Sequence, residues 1–242
     1  QEDAVASTRQ ARLVVCAEGG LNAGEQGVIS EHDYDQHALI ATLSTQDGHS
    51  HQAFERFTSE GPIALLPYRD GFALVHVCTP ARAEELLALD DDAYLRIVQT
   101  HLGSRVRLTG VSARLRYPLG LRYRRDVTGT RTVWLGNAAQ TLHPVAGQGF
   151  NLALRDVRAL ADILLKHPGD PGMTTTLDAY ARARQLDRFG AIHFTDKLVR
   201  LFSNDIAPLK HLRGAGLFAC DMLPPLRNFI ARRMMFGARA WP

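Results

Sequence analysis

Gly136-Asn137-Ala138-Ala139-Gln140-Thr141-Leu142-His143-Pro144-Val145-Ala146-Gly147-Gln148-Gly149-Phe150-Asn151 is the stretch on which the fold turns. It follows Thr132-Val133-Trp134-Leu135, a short apolar run that ends on glycine, the pattern of a strand buried on both faces of a mostly parallel sheet. It precedes a run from Leu152 to Leu165. There Leu152, Leu154, Val157, Leu160, Ala161 and Leu164 recur at helical spacing, while Arg155, Asp156, Arg158 and Asp162 fall largely elsewhere. The sequence therefore predicts a strand, a glycine-bearing loop and an amphipathic helix in direct succession.

Such a loop suits binding. Gly147 and Gly149 let the backbone approach a ligand closely, and the first free N–H groups of the helix point at it with a partial positive charge behind them. That arrangement stabilises an electron-rich group: a phosphate, a carboxylate, or the N1–C2=O edge of a reduced flavin. Pro144 stiffens the approach and leaves no N–H to satisfy.

The string Gly136-Asn137-Ala138-Ala139-Gln140, then Pro144, then Gly147-Gln148-Gly149-Phe150-Asn151 resembles the second flavin-binding motif of the aromatic-hydroxylase class of FAD-dependent monooxygenases. That motif is usually written Gly-Asp-Ala-Ala-His, Pro, Gly-Gln-Gly-x-Asn, Asp. Asn137 and Gln140, in place of the usual Asp and His, are similar to the ubiquinone-biosynthesis branch of the class. Ala53 to Thr58, Gly61 to Pro67, Leu201-Phe202 and Ala207-Pro208-Leu209 resemble stretches of the same branch, so the likeness covers nearly the whole chain.

The resemblance implies an α+β, p-hydroxybenzoate-hydroxylase-like fold, with FAD as cofactor and NAD(P)H as cosubstrate. A flavin hydroperoxide formed with O2 would hydroxylate a polyprenylated phenol. By position in the motif, Gly136 and Asn137 would approach the ribityl chain, and Pro144, Gly147, Gln148, Gly149 and Asn151 would line the isoalloxazine. No catalytic side chain is assigned, because the hard chemistry belongs to the flavin. For the substrate, the segments around Phe54, Phe57, Leu65 and Pro67 are the candidates, since an antiparallel sheet with an apolar face can roof such a pocket. Glu18 departs from the family, which carries an Asp-Gly pair there near the flavin diphosphate.

The chain has 242 residues and a formal net charge of +3, enough for one large domain or two smaller ones. Cys16, Cys78 and Cys220 are odd in number and far apart, which fits buried thiols of a reducing, cytoplasmic compartment better than a disulfide framework. The start, Gln1 to Ala6, resembles neither a signal nor an anchor, and no apolar run has spanning length. The charge is uneven. From Ala207 on, Lys210, Arg213, Arg227, Arg232, Arg233 and Arg239 face only Asp221, among Leu217, Phe218, Met222, Leu223, Phe229, Ile230, Met234, Met235 and Phe236. This tail either packs on its own domain or contacts an anionic membrane or a partner.

Arg12 to Ala17 reads as another buried strand. Ala38–Leu43, Gln52–Phe57, Ile63–Pro67 and Phe72–Cys78, broken by glycine-bearing turns, read as antiparallel strands. One helix is expected after Pro80, ending at Gly103. Strand character resumes over Val106–Tyr117, closed by Pro118 and Gly120. Beyond a linker at 168–172 the rest is helical, with breaks at Pro208 and Pro224-Pro225. Residues 1–20 and 119–168 are expected to form part of an FAD-binding unit, 21–118 a substrate-binding β-sheet domain, and 169–242 a C-terminal helical region. No βαβ unit flanks the two buried strands, and the first methionine is Met173. The chain is thus expected to be the C-terminal part of a longer enzyme, lacking the Gly-x-Gly-x-x-Gly element for the AMP half of FAD, and inactive alone. A homodimer would cover exposed edges.

His49-Ser50-His51 reads as a solvated turn, because nothing nearby completes a metal-ligand set. His143 reads equally as a ligand contact or a loop residue. Arg122, Arg124 and Arg125 read as a surface basic cluster, and without interleaved aromatic platforms nucleic acid is not expected. Against the flavoprotein hydroxylase stands a non-catalytic module that binds a prenyl lipid or a partner within a ubiquinone-biosynthesis complex.

Overall fold

A computed structural model describes residues 10–21, 28–202 and 207–237. The expectations for Gln1 to Ala6 and for Arg239 lie outside the described residues, as does the segment just before Pro208. Strand β1 (Val14–Cys16) is followed by a meander of β2 (Ile29–Thr45), β3 (Phe54–Phe57), β4 (Pro62–Tyr68) and β5 (Gly71–Cys78). Helices α1 (Pro80–Ala88) and α2 (Asp91–Leu102) come next, then β6 (Leu108–Val111), β7 (Leu115–Arg124), β8 (Thr128–Gly129), β9 (Thr132–Trp134) and β10 (Gln140–Thr141). The chain continues through α3 (Gln148–Lys166), α4 (Thr174–Phe202), α5 (Ala207–Met222) and α6 (Pro224–Phe236).

Two sheets result. The larger runs β10-β7-β2-β5-β4-β3, with β6 also on β2, and its pairings are antiparallel. The smaller runs β1-β9-β8, with β1 parallel to β9. This is the α+β architecture the sequence implied.

Alternation decides which face of the large sheet is buried. Leu39, Ala41 and Leu43 of β2, Ile63 and Leu65 of β4, and Phe72 and Leu74 of β5 pack with Ala83, Leu86, Tyr94 and Val98 of α1 and α2. The intervening residues of β4 and β5 face the other way. His76 lies on the helix side, its Nδ1 3.1 Å from the Tyr94 hydroxyl, and burial lowers its pKa to about 4.

Several expectations need correction. The single helix after Pro80 is two, because the Asp90 carboxylate accepts the Ala93 N–H at 2.7 Å and caps a new start. Pro118 and Gly120 lie within β7, opposite His37 and Asp33. Proline is tolerated there because β10 pairs only with Arg122 and Tyr123, leaving the outer side of β7 open at Pro118. β7 thus carries the antiparallel sheet across the boundary expected at 118/119. Val14 and Val15 of β1 are 48% and 45% exposed rather than buried, since β1 pairs with β9 alone.

The phase of β4 is directly testable. Leu65→Ala should cost about 2–5 kcal/mol, as for a fully buried leucine. The neighbouring Leu66→Ala should cost less than about 1 kcal/mol. Urea unfolding of the two variants measures the difference.

Candidate functional site: a cleft between the two sheets

The 136–151 stretch folds as a relay of short turns. β9 delivers the chain to Gly136, where a helical turn covers Gly136–Ala138. β10 then joins the large sheet, a second turn spans Pro144–Ala146, and α3 begins at Gln148. Gly147 sits at φ +57, in the left-handed region that costs a side-chain-bearing residue about 1–2 kcal/mol. Gly136 is also left-handed, at φ +55, and a Cβ there would come within 3.2 Å of the Ala153 Cβ.

A buried polar network grips this relay. The Asp156 carboxylate, 1% exposed on α3, accepts the Gly136 N–H at 3.2 Å, the Gln140 amide at 2.8 Å and Arg184 Nε at 2.7 Å. Arg184 also binds Asp187, which holds Arg155, both at 2.8 Å. Arg188 donates to Gln140 Oε1 at 2.6 Å and to the carbonyls of Ala139 and Arg124. Arg124 is buried over the Trp134 ring at 4.3 Å, its Nε donating to the Ala138 carbonyl. The expected surface cluster is therefore corrected: Arg124 is a buried part of the grip, and Arg122 pairs with Glu31. The sequence reading also placed Asp156 away from the packed face. Its five-residue offset from Asn151, within the quoted motif, was the available signal.

Above the relay lies a cleft of about 1040 Å³. One wall is Gly136, Asn137, Leu142, Pro144–Gly147, Gly149, Phe150, Ala153 and Val157, and the end of β1 adds Ala17 and Gly19. The opposite wall is the second face of the large sheet: Ala53–Glu55, Pro62, Ala64, Leu66, Val75 and Val77. Met234 of α6 closes one side. No side chain caps the start of α3, no acidic residue stands in its first turn, and Gly147 and Gly149 at this end line the cleft. That end, bordered by Gly147 and Gly149, fits an electron-rich planar group approached at backbone distance.

Of the residues expected at the cofactor, Gly136, Asn137, Pro144, Gly147 and Gly149 line this cleft. Gln148 and Asn151 do not. Gln148 turns inward, its amide reaching the Ala146 carbonyl at 3.3 Å, and borders a separate cavity of about 320 Å³ against α4 and α6. Asn151 is half-buried on α3. Of the residues expected at substrate, only Phe54 lines the cleft. Phe57 packs on Phe202 with ring centroids 4.1 Å apart. Leu65 belongs to the core beneath the sheet, and Pro67 pairs with Phe72 beyond the cleft. The sheet wall is formed one residue out of phase, by Ala64 and Leu66. His143 is 1% exposed and lies behind the wall, with Nδ1 accepting the Val145 N–H at 3.1 Å; burial lowers its pKa to about 4 and keeps it neutral.

A crevice between two sheets, with a glycine-bordered helix start on one wall, is the architecture of an α+β, p-hydroxybenzoate-hydroxylase-like fold. The FAD binding domain family matches residues 2–192, and the chain belongs to that family. It is similar to ubiquinone hydroxylase UbiL of Rhodospirillum rubrum, at 34% identity over 97% of this chain and 57% of that protein. It is also similar to the human mitochondrial ubiquinone biosynthesis monooxygenase COQ6, at 30% identity over 93% and 57%. The chain thus spans somewhat over half the length of these relatives. Klebsiella pneumoniae HpxO, solved with FAD and uric acid, shares the fold with a TM-score of 0.65, at 15% identity over 85% of this chain and 55% of that one.

Asp156→Ala should lower the unfolding free energy by about 3–5 kcal/mol, because it leaves Arg184 Nε, the Gln140 amide and the Gly136 N–H without their acceptor in the interior. Asp162→Ala, which breaks only the exposed pair with Arg158, should change it by less than about 1 kcal/mol. Chemical denaturation of both variants provides the comparison.

Proposed function

We propose that this chain works in an FAD-dependent monooxygenase that hydroxylates a polyprenylated phenol in ubiquinone biosynthesis, with NAD(P)H as reductant and O2 as oxygen source. The observation that carries the reading is the cleft itself. An uncapped, glycine-bordered helix start forms one wall and an apolar sheet face the other. The similarity to a ubiquinone hydroxylase, UbiL, and to a ubiquinone biosynthesis monooxygenase, COQ6, supports it.

Bound flavin supplies reducing equivalents and oxygen activation. The chain's own groups do the rest. The N–H groups at Gly147 to Gly149 favour negative charge on the ring edge nearest them. Asn137 offers an amide to a ribityl hydroxyl, in place of the family's usual carboxylate. Ala64, Leu66, Val75 and Val77 exclude water from the face where the phenol ring lies.

A prenylated substrate resides in lipid, and the C-terminal helices are proposed as the surface that meets it. No helix among the described residues is long and apolar enough to cross a membrane. Leu217, Phe218, Met222, Leu223, Phe229, Met235 and Phe236 are all exposed on α5, α6 or the junction between them, beside Arg227 and Arg232. That combination suits shallow seating on anionic headgroups.

Two measurements test these readings. The full-length gene product should purify yellow, and a short-chain prenylphenol should accelerate its oxidation of NAD(P)H; a stable, colourless product would refute the flavoenzyme in favour of a binding module. It should also co-sediment with vesicles containing phosphatidylglycerol and far less with neutral phosphatidylcholine. Phe218→Glu should abolish that difference, and a variant that keeps the wild-type preference for phosphatidylglycerol would rule out the helical surface.

A further inference from the structure

The cleft wall contributed by the large sheet is apolar except at one position. Glu55 projects from the edge strand β3, directly across from Ala64, which in turn pairs with Val75. These residues form one row on the cleft-facing side, and Glu55 is the only ionisable side chain among the described residues that line the cavity. Its carboxylate makes no hydrogen bond or ion pair among the described residues. The adjacent Arg56 does not serve it, because that guanidinium donates to the His101 carbonyl at 2.8 Å on the other side of the strand. Desolvation by the apolar surroundings raises the Glu55 pKa, although part of the side chain still reaches solvent at the cleft mouth.

Glu55 is exposed, so water satisfies its carboxylate in the open cleft; a ligand that fills the cleft displaces that water and must supply a donor in its place. The two walls also differ in what they offer. The α3 start presents N–H donors and suits an electron-rich group, whereas Glu55 presents an acceptor and suits a group with a hydrogen to give. A ring hydroxyl is such a group. Donating to a carboxylate, it also makes the ring carbons ortho and para to it more electron-rich, which oxygen insertion requires.

We propose that the Glu55 carboxylate accepts a hydrogen bond from the ring hydroxyl of the phenol in the cleft, and so fixes which way round the ring lies. The assignment rests on the phenol reading given above. It makes Glu55 a specificity-determining residue that separates free phenols from otherwise identical ethers. A ligand that displaces the water around Glu55 without donating to it leaves the carboxylate unpaired, and that difference separates the two classes.

The test is calorimetric titration of the FAD-loaded full-length protein with a short-chain prenylphenol and with its O-methyl ether. Wild type should bind the phenol about tenfold or more tightly than the ether. Glu55→Met, which removes the acceptor, should erase that preference while the ether binds at least as tightly as it does to wild type, showing that the cleft is intact. In wild type the preference should shrink as pH falls through the raised Glu55 pKa and the carboxyl becomes neutral. Among the described residues that line the cleft no other side chain is ionisable, and Glu55→Gln should show no such pH dependence. A preference that survives in Glu55→Met would overturn the role of Glu55 and leave the phenol reading standing. Failure of wild type to bind either compound would overturn both.

Discussion

The Asp156 carboxylate joins parts of the chain that are far apart in sequence. One of its oxygens holds the Gly136 N–H and the Gln140 amide, and the other holds Arg184 of α4. A buried anion is tolerated only when nearly every lone pair is engaged, and here each partner belongs to a different element. Because α3, α4 and the turn after β9 share one charge, none can shift without leaving it unpaired. The start of α3 is thus held relative to Gly136 by polar contacts as well as by the apolar cluster of Val133, Leu135, Leu160 and Tyr180. Preorganisation of the cleft wall follows, since the wall does not depend on a ligand for its shape.

Much of the framework was legible in the sequence. Period-two alternation with glycine turns located β2, β4 and β5, and the helical repeat located α3, because both patterns are local. The phase of β4 was not legible. Ile63-Ala64-Leu65-Leu66-Pro67 is apolar on both of its faces, so only the packing of α1 and α2 shows that Leu65 turns to the core and Leu66 to the cleft. Gly136, Asn137, Pro144, Gly147 and Gly149 fell on the cleft because turn geometry is local. Gln148 did not, because the first turn of α3 rotates its side chain inward toward α4.

Charged residues misled for one consistent reason. Arg124 lies in a run of arginines and Asp156 on a helix with several charges, so each reads as solvated. Their burial depends on partners 14 and 28 residues away, the Ala138 carbonyl for the first and Arg184 for the second. Long-range polar pairing leaves no periodic trace. Likewise β1 reads as interior from its valines alone, while its exposure reflects how few strands pair beside it.

β10 is two residues long, yet it belongs to the large sheet through Gln140 opposite Tyr123 and Thr141 opposite Arg122. Asn137 just before it and Leu142 just after it both line the cleft. The floor of the cleft is therefore riveted to the very sheet that supplies the opposing wall. Widening the gap would require tearing that rivet, so its width is a property of the chain rather than of whatever enters. Two backbone pairings thus tie the wall that carries Asn137 and Leu142 to the wall that faces it.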